Sequence, residues 1–367
     1  MLFRSHQAAA LEVAKRSIVL LKNREKCLPL SKNVKKLAVI GPLADNRKEL
    51  IGSWSAAGDY QQCVTLLEGI KSKVSPETTV TYLKGCDINT GLRDEFARAL
   101  EVAKEADVVI AALGEEALMS GEAASRSCPN LPCLQEEFLQ ALHKTGKPII
   151  LVLMNGRPLL LDWADDNIPG ILECWFLGTQ AGNAIAEVIF GDYNPSGKLP
   201  ISFPRSVGQI PIYYNHKNTG RPMSPEKYTS KYLDIQNTPL YPFGHGLSYT
   251  TFSYENLRLS EPKIKRDEKI HVQVDIKNTG EVAGTEIVQL YVRDLVASVT
   301  RPVKELKGFQ KITLLPGETK TVQFVLKPDH LAFYDRQMKH VVEPGSFEVM
   351  VGTSSRETLK KAFEVIE

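Results

Sequence analysis

The stretch ADVVIAALGEEALMSGEAASR, residues 106–126, decides the reading of this chain. Its first part, Ala106 to Leu113, is almost continuously apolar, as a strand covered on both faces of a parallel sheet must be. Its second part is a polar loop holding Glu115, Glu116 and Glu122. In an open α/β sheet, ligands bind outside the carboxyl ends of the strands, so carboxylates placed there are candidates for chemistry. A solvated acidic surface loop would carry the same residues, and the rest of the chain has to decide between the two.

Outward from that stretch, strand-like runs alternate with helical patterns as far as about Pro204. Strands are expected at 37–40 (LAVI), 79–83 (TVTYL), 108–113 (VVIAAL), 149–154 (IILVLM) and 170–176 (GILECWF), and helices at 7–22, 92–106, 134–145 and 181–190. This is the signature of an α/β sandwich, a mostly parallel sheet with helices on both faces. After Ser253 the pattern becomes strict alternation, in HVQVDIKN (271–278), TEIVQLYV (285–292), KTVQFVLK (320–327) and SFEVMVG (346–352). Turn signals at Asn278-Thr279-Gly280, Pro316-Gly317 and Pro344-Gly345 separate these half-buried strands. Together they fit an all-β immunoglobulin-like sandwich of the fibronectin type III kind, without the cysteine pair of an antibody domain.

The expected domains are therefore 1–204, an α/β sandwich carrying the acidic loop; 205–252, an ordered linker; and 253–367, the all-β module. The linker's aromatics, Tyr213, Tyr214, Tyr228, Tyr232, Tyr241, Phe243, Tyr249 and Phe252, are too many for a loose tether. They are expected to pack against the protein surface rather than to form a sugar-stacking platform.

With 367 residues, 43% of them hydrophobic, and a net charge of +2, the chain reads as a soluble protein of two or three domains. Mixed charges of both signs leave no electrostatic footprint for nucleic acid or an anionic membrane. No apolar stretch reaches the ~20 residues that span a bilayer. The start, MLFRSHQAAALEVAKRS, is an amphipathic helix pattern without a signal-peptide core, so no export signal is expected on this chain. The six cysteines are too scattered for a disulfide framework or a zinc site, and neither metal nor cofactor is expected. Cys128 and Cys133 could bridge if oxidised, but spacing does not decide whether their Cβ atoms approach.

Five stretches, RSIVLLKN (16–23), GSWSAAGD (52–59), SGEAASR (120–126), GDYNPSGKLPISFP (191–204) and PLYPFGHGLSYTTF (239–252), together resemble the C-terminal half of glycoside hydrolase family 3, the β-glucosidase and β-xylosidase group. The resemblance covers essentially the whole chain. It implies a complete enzyme built as a (β/α)8 barrel, an α/β sandwich and a fibronectin type III-like domain, of which this chain looks like the last two. It further implies a retaining hydrolase of β-linked glucosides or xylosides, acting from non-reducing ends without a cofactor. The nucleophile, an Asp, would lie on the barrel, and the acid/base, a Glu, on the sandwich loop. The match of SGEAASR carries that role onto Glu122, whose carboxyl would have to be protonated when substrate binds.

Glu115 is the second candidate, because LGE also recurs in the family, whereas Glu116 has no family counterpart. Arg126 is expected to pair with a carboxylate within the loop, or else to touch substrate hydroxyls. Ser120 and Ser125 are expected to hydrogen-bond within the loop. The sequence departs from the family pattern at Cys128, where an Asp is usual, and at Cys133, where a Gly is usual.

A (β/α)8 barrel needs ~250 residues, and none are available for it here. Asp162-Trp163, in RPLLLDWADD (157–166), imitates the family's nucleophile motif but falls in a stretch matching the sandwich, so Asp162 is expected to be structural. The chain alone is therefore expected to be inactive and to need an N-terminal barrel domain as partner. An accessory carbohydrate-binding module on the same scaffold is the alternative. Self-association into a homo-oligomer through the face a barrel would cover is also expected. A nucleotide-binding protein is excluded by the first strand's turn, Gly41-Pro42-Leu43, which carries neither a dinucleotide fingerprint nor a P-loop.

Overall fold

The computed structural model describes residues 4–93 and 95–367, so Met1–Phe3 of the amphipathic start lie outside the described residues. The chain divides into two units, Met1–Gly197 with Pro204–Gly208, and Lys198–Phe203 with Gln209–Glu367.

The first unit runs α1 (Arg4–Ser17), β1 (Val19–Asn23), β2 (Lys36–Ile40), α2 (Leu66–Lys73), β3 (Thr79–Leu83), α3 (Phe96–Glu105), β4 (Val108–Gly114), α4 (Gln135–His143), β5 (Ile149–Met154), α5 (Asp162–Asn167), β6 (Gly170–Glu173) and α6 (Ala181–Ile189). Its sheet has the order β1-β6-β5-β4-β2-β3. All neighbours are parallel except β1, which runs antiparallel to β6. Among the helices, α1, α2 and α6 pack as one group, and α3 and α4 contact each other. Every residue of β5 is buried, and β4 is buried from Val109 onward, as the unbroken apolar runs require.

The structure corrects three sequence readings in this unit. The helix read over 7–22 ends at Ser17, and the four apolar residues that follow enter an edge strand in which Val19 pairs with Glu173 and Leu20 with Leu172. A consecutive apolar run fits a strand as well as the last turn of a helix, and pairing with β6 decides it. The strand read over 170–176 stops at Glu173. Helix α2 was not read, although Thr65 and Glu68 form a capping box, each side chain accepting the other's backbone N–H, at 3.2 and 2.9 Å.

The second unit is built from β7 (Phe252–Leu259), β8 (Lys263–Lys265), β9 (Ile270–Asn278), β10 (Gly284–Asp294), β11 (Glu305–Leu314), β12 (Thr319–Leu326), β13 (Phe333–Tyr334), β14 (His340–Val341), β15 (Gly345–Gly352) and β16 (Thr358–Ile366). Two sheets, β11-β10-β15-β16-β8 and β12-β9-β7, are joined by a core that includes Val272, Val274, Leu290, Phe324, Phe347 and Val349. In β9, Ile270, Val272, Val274 and Ile276 are buried while the residues between them are half-buried, which is the period-two pattern of a sandwich strand. The edge strands β7, β8 and β11 have weaker alternation and were not read from sequence.

From Gln209 onward, the segment read as a linker belongs to the second unit. It is tied in by bridges pairing Phe203 with Tyr241 and Lys217 with Pro302. Tyr241 is buried against Phe203, and Tyr214 stacks on Phe243 with ring centroids 4.3 Å apart. Tyr213, Tyr228 and Tyr232 remain exposed, so the expected packing of the aromatics holds for only part of the segment.

Gly114, the last residue of β4, has φ +148°, and a Cβ there would lie 1.9 Å from the Met154 carbonyl oxygen. Gly114→Ala is therefore expected to lower stability by about 3 kcal/mol or more, because strain and backbone overlap act together. Gly146→Ala, at φ +76° with nothing within 4 Å of the added carbon, should cost only about 1 kcal/mol. Urea unfolding of the two variants measures the difference; equal losses would show that close approach of β4 and β5 does not limit this position.

Candidate active site

The strands β4, β5 and β6 end side by side, and the candidate site is built on those ends. The loop that leaves β4 returns at α4, and one side chain closes it. Gln135, fully buried, accepts the Gly114 N–H at 2.7 Å and donates to the Gly114 carbonyl at 2.7 Å and to the Ile88 carbonyl at 3.1 Å. Both backbone groups of Gly114 are thus satisfied away from water. Further along, Ala117 N–H donates to Glu49 Oε2 at 2.7 Å, and Glu49 is itself buried.

Glu115 is fully buried and is the centre of the assembly. Its Oε1 lies 2.7 Å from Arg126 Nη1 and 3.0 Å from Arg157 Nε. The Gly156 N–H donates to its Oε2 at 3.4 Å, and its own N–H donates to the Met154 carbonyl at 2.9 Å. Arg157 does more than neutralise. Its Nη2 donates to the carbonyls of Met119 and Ala124, the latter at 2.7 Å, and so grips the loop on both sides of Glu122. Only a planar fork with several donors can hold one carboxylate and two separate carbonyls at once.

Within that grip the loop is tightly folded. Ser120 lies against Gly156, where a Cβ would be 2.1 Å from the Ser120 Oγ. Ala123 takes the left-handed conformation, φ 57°, which turns the chain sharply after Glu122. The expected side-chain hydrogen bonds of Ser120 and Ser125 are not found among the described residues. Glu122 is exposed, and among the described residues it has no hydrogen bond or ion pair. Glu116 is half-buried. The turn bearing Trp54 approaches the same place, since a Cβ on Gly121 would meet Ser53 Oγ at 2.8 Å and Trp54 Nε1 at 3.4 Å. Trp54 and Leu118 are 77% and 79% exposed.

At the end of β6 stands a third buried carboxyl, after Glu49 and Glu115. Glu173 accepts from Asn155 Nδ2 at 3.2 and 3.1 Å and from the Trp175 N–H at 3.1 Å. Burial pushes its pKa up to about 8, against the pull of those hydrogen bonds and with a further push from Glu115. Asp162 opens α5 with its carboxylate 4.0 Å from Arg205 Nη1, and no contact among the described residues links it to Glu122. All six cysteines are free, Cys128 and Cys133 on the surface. Among the described residues no group of three or more His, Cys, Asp or Glu side chains could hold a metal, and no helix is long and apolar enough to cross a membrane.

Arg157, Gln135 and Glu173 were missed by the sequence reading. For Arg157 a signal existed: Gly156-Arg157-Pro158 directly follows the apolar run of β5, which as a parallel neighbour must end beside β4. A polar residue at the start of a helix gives no comparable sign for Gln135.

An exposed carboxylate is thus held on a gripped loop beyond the carboxyl ends of a parallel sheet, the place where ligands of open α/β sheets bind. Comparison with known proteins gives the family. Residues 18–249 match the glycosyl hydrolase family 3 C-terminal domain, and residues 286–355 match a fibronectin type III-like domain. The chain belongs to glycosyl hydrolase family 3. Over 99% of its length it is 50% identical to a periplasmic beta-glucosidase of Salmonella typhimurium, covering 50% of that protein. Over 96% it is 46% identical to a beta-xylosidase of Formosa agariphila, covering 49% of it. The structure of a beta-glucosidase from Listeria innocua in complex with glucose superposes on 100% of the chain with a TM-score of 0.94 at 38% identity, and the chain covers 51% of it. The chain spans about half the length of the curated relatives it matches.

Two expectations follow from the geometry. Arg157→Ala should cost about 3 kcal/mol, the low end for breaking a buried pair because Arg126 stays with Glu115. It should also speed amide exchange of residues 117–126, whereas Arg157→Lys should restore much of the stability but leave that exchange fast, because an ammonium cannot span the three oxygens. For Glu173 the sign follows from a raised carboxyl pKa. The folded chain holds a proton that the unfolded chain releases above about 4.5, so stability falls as pH rises from there to about 8, by up to about 1.4 kcal/mol per unit. Unfolding at about pH 5.5 and about pH 7.5 should show a smaller difference in Glu173→Gln than in the parent; equal differences would rule out this buried proton.

Proposed function

We propose that this chain is the acid/base-bearing part of a retaining β-glucosidase, with Glu122 as the general acid/base. The observation that carries the reading is the contrast within one loop: Glu115 is sealed under two guanidinium groups, while Glu122 stands in solvent with no partner among the described residues. A residue that must give a proton to a leaving oxygen, and later take one from water, has to be both free to exchange and fixed in place. The Arg157 grip on either side of Glu122 supplies the second condition.

In the proposed reaction Glu122 protonates the glycosidic oxygen while a carboxylate from a separate (β/α)8 barrel attacks the anomeric carbon. Glu122 then removes a proton from the water that releases the sugar. The substrates proposed are β-linked glucosides, in line with the glucosidase relatives, with xylosides as the nearest alternative. The exposed Trp54 and Leu118 beside the loop support its being covered by another domain when substrate is bound.

The test is hydrolysis of aryl β-glucoside and aryl β-xyloside by the 367-residue chain, first alone and then with a family barrel domain produced separately. No turnover is expected alone. With the barrel, turnover should appear and fall by about 10²–10⁴-fold in Glu122→Gln, the range for loss of a general acid. Equal rates in parent and variant would remove Glu122 from the role, and turnover by the chain alone would place a nucleophile within these residues.

A further inference from the structure

A cleft of about 630 Å³ opens in the second unit, between the segment around Tyr213 and the sandwich residues Lys304 and Arg356. Its roof is fixed, because the Val303 N–H donates to the His216 carbonyl at 2.9 Å and Lys217 bridges to Pro302. The charge of its lining is one-sided: Lys217, Lys304 and Arg356 line it together with His216, and among the described residues no Asp or Glu does.

Lys304 is the unusual member. It is half-buried, and its Nζ makes one hydrogen bond, to the Ser355 carbonyl at 2.5 Å, with no ion pair among the described residues. An ammonium carries three donors, and a charge withdrawn from water is costly unless it is paired. Burial pushes its pKa down, and Lys360 and Arg293 add to that against the opposing pull of Glu348. Glu348 is itself engaged by Lys360 at 3.4 Å. The guanidinium of Arg356, the ammonium of Lys217 and the amide of Asn218 likewise have no side-chain partner among the described residues. Four donor side chains, of which Lys304 alone is withdrawn from solvent, therefore line a cleft that has no acidic residue among its described lining.

The same lining includes aromatic rings. Tyr213 is 52% exposed, and its neighbour Tyr214 is held in place by stacking on Phe243 at 4.3 Å with ring planes 25° apart. The C–H face of a pyranose packs well on such a ring, while a carboxylate or phosphate is what unpaired lysine and arginine groups recognise. The volume lies within the usual range for small-molecule sites. We propose that this cleft binds an anionic sugar, a monosaccharide carrying a carboxylate or a phosphate, with its charge on Lys304 and Arg356 and its ring against Tyr213. Glu122 is not among the residues lining this cleft, and the proposal does not depend on the function proposed above.

Calorimetric titration of the 367-residue chain with glucuronate, glucose 6-phosphate, glucose and inorganic phosphate tests this. Saturable binding of glucuronate or glucose 6-phosphate is expected, at least about tenfold tighter than glucose, and the tighter of the two identifies the anion. Lys304→Gln and Arg356→Gln should each weaken it about tenfold or more. Tyr213→Ala should weaken the anionic sugar but not inorganic phosphate. Absence of saturation by either anionic sugar below about 10 mM would overturn the proposal. So would parental affinity in Arg356→Gln, a change at an exposed residue that does not threaten the fold. Glucose binding as tightly as the anionic sugars would remove the anion from the recognition, and Tyr213→Ala without effect would remove the sugar ring.

Discussion

A carboxylate withdrawn completely from water must find its compensation in protein, and Glu115 finds it in Arg126, Arg157 and the Gly156 N–H. Losing both guanidinium groups would strand a buried charge at a cost of several kcal/mol, so the elements that supply them are obliged to meet. Arg126 comes from the far side of the acidic loop, Arg157 from the end of β5, and Glu115 from the end of β4. The loop's course is therefore dictated from within, by charge, rather than by its own turn residues. Arg157 extends the constraint outward through the Met119 and Ala124 carbonyls, which leaves the segment between them no freedom to rearrange independently.

The ends of β4 and β6 and the loop that follows β4 carry carboxyl groups in three electrostatic conditions. Glu115 is paired, Glu173 is dry and faces only amides, and Glu122 stands in solvent. Parallel strands make such sorting possible, because β4, β5 and β6 all end at the same edge while their helices protect everything below it. The second unit uses the other solution to burial, two sheets that are antiparallel except where β8 joins β16, with one wet face each, and its polar opportunities lie in loops and clefts rather than at strand ends.

How much of this could be read in advance depended on range. The continuous runs of β4 and β5 and the alternation in β9 are local patterns, and they gave strands with nearly the right bounds. The antiparallel edge strand β1 was misread because Ile18 to Leu21 is consistent with either structure, and only its pairing with Glu173 and Leu172 selects one. The capping box at Thr65 was legible and was overlooked. Within the loop, residue type alone did not distinguish Glu115 from Glu122; the motif resemblance favoured Glu122, and burial separates the two. Gln135 and Arg157 act across 21 and 42 residues of sequence, at distances where no local rule reports a contact.

The closure by Gln135 has an evolutionary corollary. Because one side chain pins both backbone groups of Gly114, the loop enters and leaves the sheet through a single gate, and the two ends of the excursion stay fixed whatever lies between them. Between those ends Pro129, Leu131 and Pro132 are buried, and the Pro129 carbonyl accepts the Leu160 N–H at 2.9 Å, so the excursion is anchored in its middle as well. The exposed Ser127 and Cys128 are left open to exchange without shifting the frame that carries Glu122, and they give the scaffold its place to diversify at little thermodynamic risk.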